Sequence, residues 1–464
     1  MSLPLPDARR PSYGCGPEHA ASFRHGVDAF GSGHDTPRDF LERFLDQIER
    51  QEDSLHAFVT LDLEAARSAA DASSTRYRDG NPRSPIDGLP LALKDIIQTA
   101  TLPTQSGSPI FKDWQAERDS AIAAALHRGG AVMIGKTATT EFAYGAITPA
   151  RNPYDPERTP GTSSSGSAAA VGAGMLPVAI GTQLMSSVMR PASYCGHVGV
   201  KPTYGAIRQD GIHPFSPSGE HVGAHAHALE DAWQLLRFLA HEAGPVPGSR
   251  GLTGPVETPE ARKPKRLMRM YTPGWELADA AVRGAFEEAL DRLSDADIEI
   301  VEPSSSAALQ SIEDDFARSD WCIAEIAAFE MRWPFFEYEK AGGEFHARIE
   351  NLFKRAHQIT LDDYHTALDW KDAFRARYQS LSTQVDGVIG LTAPEVAPVG
   401  LENIGHPIMC SPASCMGAPA ITIPALEADG LPLGLQLVGF HNQDADMFAH
   451  TAWIDDALLS YPEP

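Results

Sequence analysis

Between Gly161 and Gly196 the chain reads GTSSSGSAAAVGAGMLPVAIGTQLMSSVMRPASYCG, a concentration of serine and threonine with no histidine among them. A serine hydroxyl is a weak nucleophile at neutral pH and needs a base to take its proton as it attacks. Lysine can serve where histidine is absent, because burial disfavours the ammonium and lowers a lysine pKa by up to about 3–5 units. Upstream, Lys94 is the one charged residue among the apolar neighbours of GLPLALK, residues 88–94. That setting suits a neutral amine. It equally suits an ordinary strand-end lysine that snorkels to solvent or pairs with Asp95.

Six blocks in order weigh more than any one of them. GLPLALKDI (88–96), GKTATTEFAYG (135–145), NPYDPERTPGTSSSGSAAAVGAGMLPVAIGTQ (152–183), RPASYCGHVGVKPTYGAI (190–207), GAPAITIP (417–424) and GLPLGLQLVG (430–439) together resemble the amidase signature family of serine hydrolases. The resemblance covers most of the chain. A serine-rich turn alone would carry almost nothing, and without a GxxxxGK[ST] pattern a phosphate-binding loop is not indicated. Position by position, the resemblance implies that Lys94 is the base, Ser163 a bridging serine held by a cis peptide, and Ser187 the nucleophile. The 24 residues from Ser163 to Ser187 match the family spacing.

A hydroxyl donates and accepts at once, so Ser163 can pass the proton of Ser187 to a neutral Lys94 and return it to the leaving amine. Thr182 is the choice for orienting the two serines, while Thr162, Ser164, Ser165, Ser167 and Ser186 read as turn and network groups. The resemblance places the oxyanion among the backbone N–H groups of Leu184, Met185, Ser186 and Ser187. Here the chain departs from the family, which carries small residues and glycine before the nucleophile. A bulky residue forced into the left-handed region costs roughly 1–2 kcal/mol, so either the turn is shaped differently or strain is tolerated. Thr162, where the family often has glycine, is a second departure.

Arg190 could clamp a substrate carboxylate through a bidentate contact, or tie the RPASYCG loop to an acidic neighbour. Cys195 reads as a buried structural thiol, with no nearby cation to lower its pKa. His221, His225 and His227 in HVGAHAH lack a carboxylate at ligand spacing, and GxSxG is absent around Ser187.

Several elements must position these residues. Thr36-Pro37 before DFLERFLDQIER reads as a capped helix burying Phe40, Leu41, Phe44, Leu45 and Ile48, and a second helix is expected near 63–78. GLPLALKDIIQT, SAIAAALHRGG and AVMIGKT form a strand, helix, strand pattern. Ser165 to Leu176 suits a buried helix packed through small side chains, with PVAIGTQ as the next strand. KRLMRMY, DAAVRGAFEEALDRL and DIEIVEP repeat the pattern after a Pro- and Gly-rich stretch from 242 to 264. Residues 307–383 look helical and rich in aromatics, as a cap, an insert or more core helix. VDGVIGLTAPEV, GAPAITIPAL and GLPLGLQLVGF return to strand.

The fold that the resemblance implies is α/β, a mixed sheet flanked by helices, as one amidase domain over 1–464. Within it lie an N-terminal helical part (1–80), the signature core (81–241), a helical insert or cap (242–385) and a C-terminal return to the sheet (386–464). The length exceeds the roughly 250–300 residues at which a single core usually stops growing, which admits a large domain with an insert. With 38 basic against 62 acidic residues, the net charge of −24 repels phosphate backbones and anionic membranes, so neither nucleic acid nor membrane is an expected partner. Cys15, Cys195, Cys322, Cys410 and Cys415 lack CxxC spacing and suit a reducing compartment. The start lacks a signal-peptide apolar run, and the expected location is the cytoplasm.

The expected activity is hydrolysis of a C–N bond in an amide, aryl amide or carbamate through an acyl-serine intermediate. The partner is a small-molecule amide or carbamate, no cofactor or metal is required, and a homodimer is left open. Two alternatives remain: a glutamine-dependent amidotransferase subunit, and a catalytically silent relative that binds amides.

Overall fold

A computed structural model describes residues 22–145 and 147–459. Among them, eleven strands form one mixed sheet flanked by helices. In chain order the strands are β1 (Phe58–Leu61), β2 (Pro90–Lys94), β3 (Val132–Thr137), β4 (Val178–Gln183), β5 (Val198–Lys201) and β6 (His221–Ala226). There follow β7 (Arg266–Arg269), β8 (Glu299–Val301), β9 (Gly387–Leu391), β10 (Ala420–Ala428) and β11 (Leu431–Val438). Their order across the sheet is β1-β3-β2-β4-β6-β5-β10-β11-β9-β7-β8. Strand β2 runs parallel to both β3 and β4, with Lys94 opposite Thr137 and Leu93 opposite Ile180. Lys94 and Thr182 therefore emerge at the same carboxyl edge of adjacent strands, where open α/β sheets place their sites.

The local sequence accounts for these elements. Strand β2 is buried along its whole length, as a parallel strand covered on both faces must be, and so it reads as a continuous apolar run. Thr36 accepts the N–H of Asp39 and starts the helix Pro37–Leu55, whose residues Phe40, Leu41, Phe44, Leu45 and Ile48 are all buried. The second expected helix spans Leu63–Arg78. The helix Ser165–Gly172 has all eight residues buried. A Cβ on Gly166 would lie 2.2 Å from the carbonyl oxygen of Ala57 and 2.3 Å from the nitrogen of Ala138, so only glycine admits this approach.

The HVGAHAH stretch, prominent in the sequence for its histidines, forms strand β6 as far as Ala226, antiparallel to both β4 and β5. Its small residues have a packing reason: a Cβ on Gly223 would meet the carbonyl oxygen of Val200 at 2.6 Å. Helices from Ala307 to Ser380 and the 3-10 turn that follows fill the expected helical stretch. Its aromatics divide between roles, since Phe335 is fully buried against Phe142 and Phe215, whereas Trp333 is 70% exposed. Leu184, Met189, Phe142, Phe215 and Phe335 belong to one apolar cluster, against which Met185 packs. Among the described residues, no helix is long and apolar enough to cross a membrane.

Candidate active site

Lys94, at the end of β2, is completely buried. Its Nζ lies 2.6 Å from Ser163 Oγ, 3.0 Å from Thr182 Oγ1 and 3.4 Å from the carbonyl oxygen of Thr182. Neither solvent nor Asp95 takes up the amine. Asp95 is turned to Lys136, 3.3 Å away. Loss of hydration is the principal cause holding Lys94 below the ordinary lysine pKa, and the charge of Glu220 opposes it.

Ser163 follows a cis peptide bond from Thr162. Ser187 is half-buried, and its backbone carbonyl accepts the N–H of Ser164 at 3.3 Å, which holds the two serine-bearing turns together. Among the described residues, no hydrogen bond joins the Ser163 and Ser187 side chains directly. Thr182 contacts Lys94 through its side chain and Ser164 through its backbone, rather than the two serines it was expected to orient. The neighbouring hydroxyls are network groups: Ser165 pairs with Thr148 and Ser167 with Thr137, each at 2.7 Å.

The turn from Leu184 to Ser187 avoids the left-handed region; none of its four residues has positive φ. Bulky side chains are therefore accommodated without the strain that glycine would relieve. Among the described residues, no acceptor takes up the backbone N–H of Leu184, Met185, Ser186 or Ser187. Such amides form a ready set of donors for an anion. The next two amides, of Val188 and Met189, both donate to Gln183 Oε1, at 2.8 and 2.9 Å. Gln183 Nε2 donates in turn to Ser414 Oγ, which donates to the carbonyl oxygen of Met185.

The sequence reading missed Gln183, Ser414 and Glu220. Gln183 is the polar end of an otherwise apolar strand, a faint signal. Ser414 is brought in from 231 residues away, and nothing local marks it. Glu220 is buried beside the same strand end, close to Thr182.

Arg190 is buried, and its terminal nitrogens donate to Thr162 Oγ1 at 3.1 Å, the Thr162 carbonyl at 3.3 Å and the Gly405 carbonyl at 3.1 Å. It thus grips the segment that carries Ser163, through carbonyl and hydroxyl oxygens and, among the described residues, no hydrogen-bonded acidic side chain. Cys195 donates to the Pro160 carbonyl, and burial pushes its thiol well above the usual cysteine range. His225 pairs with His197 at 2.9 Å, and His221 faces the Gln183 carbonyl. Among the described residues, no group of three or more His, Cys, Asp or Glu is arranged to hold a metal ion.

The model of the Amidase family matches residues 39–448. A glutamyl-tRNA(Gln) amidotransferase subunit from Salinispora arenicola is 30% identical over 93% of this chain and 96% of its own length. A solved amidase structure superposes with a TM-score of 0.81 at 26% identity, covering 93% of this chain and 99% of that one. A chain from the vestigial complex that reveals the evolutionary origins of an s-triazine catabolic enzyme gives a TM-score of 0.79, also at 26% identity, over 93% and 97%. With the family model spanning most of the chain and the sheet superposing on a solved amidase, this protein belongs to the amidase signature family.

Proposed function

We propose that this protein is an amidase that hydrolyses the C–N bond of an amide, aryl amide or carbamate through an acyl-serine intermediate on Ser187. The observation that carries the reading is the 2.6 Å contact between a fully buried Lys94 amine and Ser163 Oγ. A lysine placed there to bind an anion would need to stay charged; burial favours the neutral form, which is a base. As Ser187 Oγ attacks the carbonyl carbon, its proton passes to Ser163, and the Ser163 proton passes to Lys94 Nζ. The tetrahedral oxyanion is met by the free N–H groups of the turn from Leu184 to Ser187. Collapse expels the amine, which takes the proton back along the same path, and water then cleaves the acyl-serine with Lys94 again as base.

The substrate is a small molecule, and its acyl side is apolar. Leu184 and Met185 replace small residues at the turn and pack into a cluster with Phe142, Phe215 and Phe335. Methionine adapts to irregular apolar shapes. The protein would work in the cytoplasm, and no metal or organic cofactor enters the scheme.

The test is labelling by a fluorophosphonate followed by peptide mass spectrometry, with turnover measured on aliphatic amides, anilides, carbamates and glutamine. An adduct on Ser187, lost in Ser187→Ala together with turnover, is the expected result; an adduct on Cys195 or full activity in Ser187→Ala overturns the scheme. A second reading is favoured by the curated relatives, which are glutamyl-tRNA(Gln) amidotransferase subunits at about 30% identity. Under it, glutamine would be hydrolysed only in the presence of partner subunits. The net charge of −24 stands against tRNA contact by this chain itself.

A further inference from the structure

Glu220 is a carboxylate with 6% of its surface exposed, placed immediately before β6. The antiparallel register sets His221 opposite Gln183 and Val222 opposite Thr182, so Glu220 falls at the end of β4 beside the oxyanion turn. Its own backbone is anchored, with the N–H donating to the Ser216 carbonyl and the carbonyl accepting from Gln209 Nε2 at 2.5 Å. Its carboxylate lies beside Thr182, whose Oγ1 is 3.0 Å from Lys94 Nζ. A single hydroxyl thus stands between a buried carboxylate and a buried amine.

The other titratable groups nearby have partners of their own. Asp95 follows Lys94 in the chain but is paired with Lys136. On β6, His221 points to the Gln183 carbonyl, and His225 is paired with His197 and held well below its ordinary pKa by burial. Lys94 is the cation that opposes the desolvation of Glu220, and Glu220 is the anion that acts on Lys94. A carboxylate buried without a cation is costly, and one side chain of such a pair cannot be removed without consequence for the other.

We propose that Glu220 is a positioning residue for Lys94: through the shared Thr182 hydroxyl it aims the amine at Ser163 and supplies negative charge beside the ammonium that forms during acylation. The proposal rests on the reading of Lys94 as base. The proton balance is that of the scheme above: Lys94 gains the proton from Ser163, becomes an ammonium facing Glu220, and returns it to the leaving amine. Glu220 neither gains nor loses a proton in the cycle. Its charge makes Lys94 a stronger base than burial alone would allow.

The experiment is the pH dependence of kcat/KM and of fluorophosphonate labelling of Ser187, in wild type, Glu220→Gln, Glu220→Asp and Lys94→Ala. Glu220→Gln keeps the shape and hydrogen bonding but removes the charge. Its acid limb should move to lower pH by about one unit or more, with the plateau rate falling at least about tenfold. Glu220→Asp, which draws the charge back by one methylene, should shift the limb the same way by less and recover most of the rate. An acid limb unmoved in Glu220→Gln overturns the proposal, since a merely structural role leaves it in place. Should Glu220→Gln fail to fold, an unmoved limb in Glu220→Asp overturns it equally. Full activity in Lys94→Ala would instead remove the reading beneath it, so the two failures are told apart.

Discussion

Ser414 Oγ donates to the backbone carbonyl of Met185 across 2.7 Å, joining a helix near the C-terminal strands to the middle of the Leu184–Ser187 turn. The same hydroxyl accepts from Gln183 Nε2 at 2.9 Å, while Gln183 Oε1 takes the amides of Val188 and Met189. The turn is therefore fixed from both sides by side chains, and its own amides have no acceptor among the described residues. Ser414→Ala removes one bond on each side of this relay. We expect a stability loss of about 1–2 kcal/mol by denaturant titration. We also expect a fall in kcat of about tenfold with KM nearly unchanged, because positioning of transition-state donors is lost rather than substrate binding.

Under the proposed scheme Lys94 makes the rate depend on pH in one direction. The neutral amine is the base in that scheme, so lowering the pH protonates it and should remove activity. Burial holds its pKa below the ordinary value of about 10.4, which places the working range nearer neutrality. Wild-type kcat/KM should rise with pH through a limb well below about 10.4, and Lys94→Ala should lose at least about a hundredfold in kcat and lack that limb. A stopped assay with a nitroanilide across a pH series checks both; an identical limb in Lys94→Ala assigns the titration to another group.

The parts of this site that were legible in the sequence are those whose cause is local. Lys94 sits in an apolar run because β2 is covered on both faces, and the alanines and glycines from Ser165 to Gly172 mark a helix that other backbone approaches closely. The amphipathic helices Pro37–Leu55 and Leu63–Arg78 followed from periodicity and caps. What escaped is non-local. Strand β6 shows no clean alternation because both neighbours press on it, so glycine replaces larger residues. The shape of the Leu184–Ser187 turn could not be read from the family's glycines, since here it is stabilised by Gln183 and Ser414 and needs no positive φ.

Cys195 tests whether a thiol near the site takes any part in the chemistry. Its side chain is fully buried, donates to the Pro160 carbonyl and is pushed well above the usual thiol range by loss of hydration. A thiolate is the reactive form, so this group is inert at neutral pH. Cys195→Ala should retain wild-type kcat and KM while losing about 1 kcal/mol of stability. Native protein should also resist alkylation at Cys195 by iodoacetamide, as peptide mass spectrometry can show.

Arg190 separates two readings of a cation three residues beyond Ser187. A clamp for a substrate carboxylate would present its guanidinium to the cleft, whereas here the terminal nitrogens are bonded to Thr162 and to the Gly405 carbonyl. Arg190 thus holds the segment entering Ser163 against the 405 loop, and burial lowers its pKa from the ordinary arginine value. Arg190→Lys keeps a positive charge but cannot reach both partners in fork geometry. We expect it to lower stability by about 2–3 kcal/mol, as loss of buried charged hydrogen bonds does, and to lower kcat on neutral and carboxylate-bearing amides by the same factor. A rise in KM confined to the carboxylate-bearing amides, with thermal stability intact, would instead assign Arg190 to the substrate.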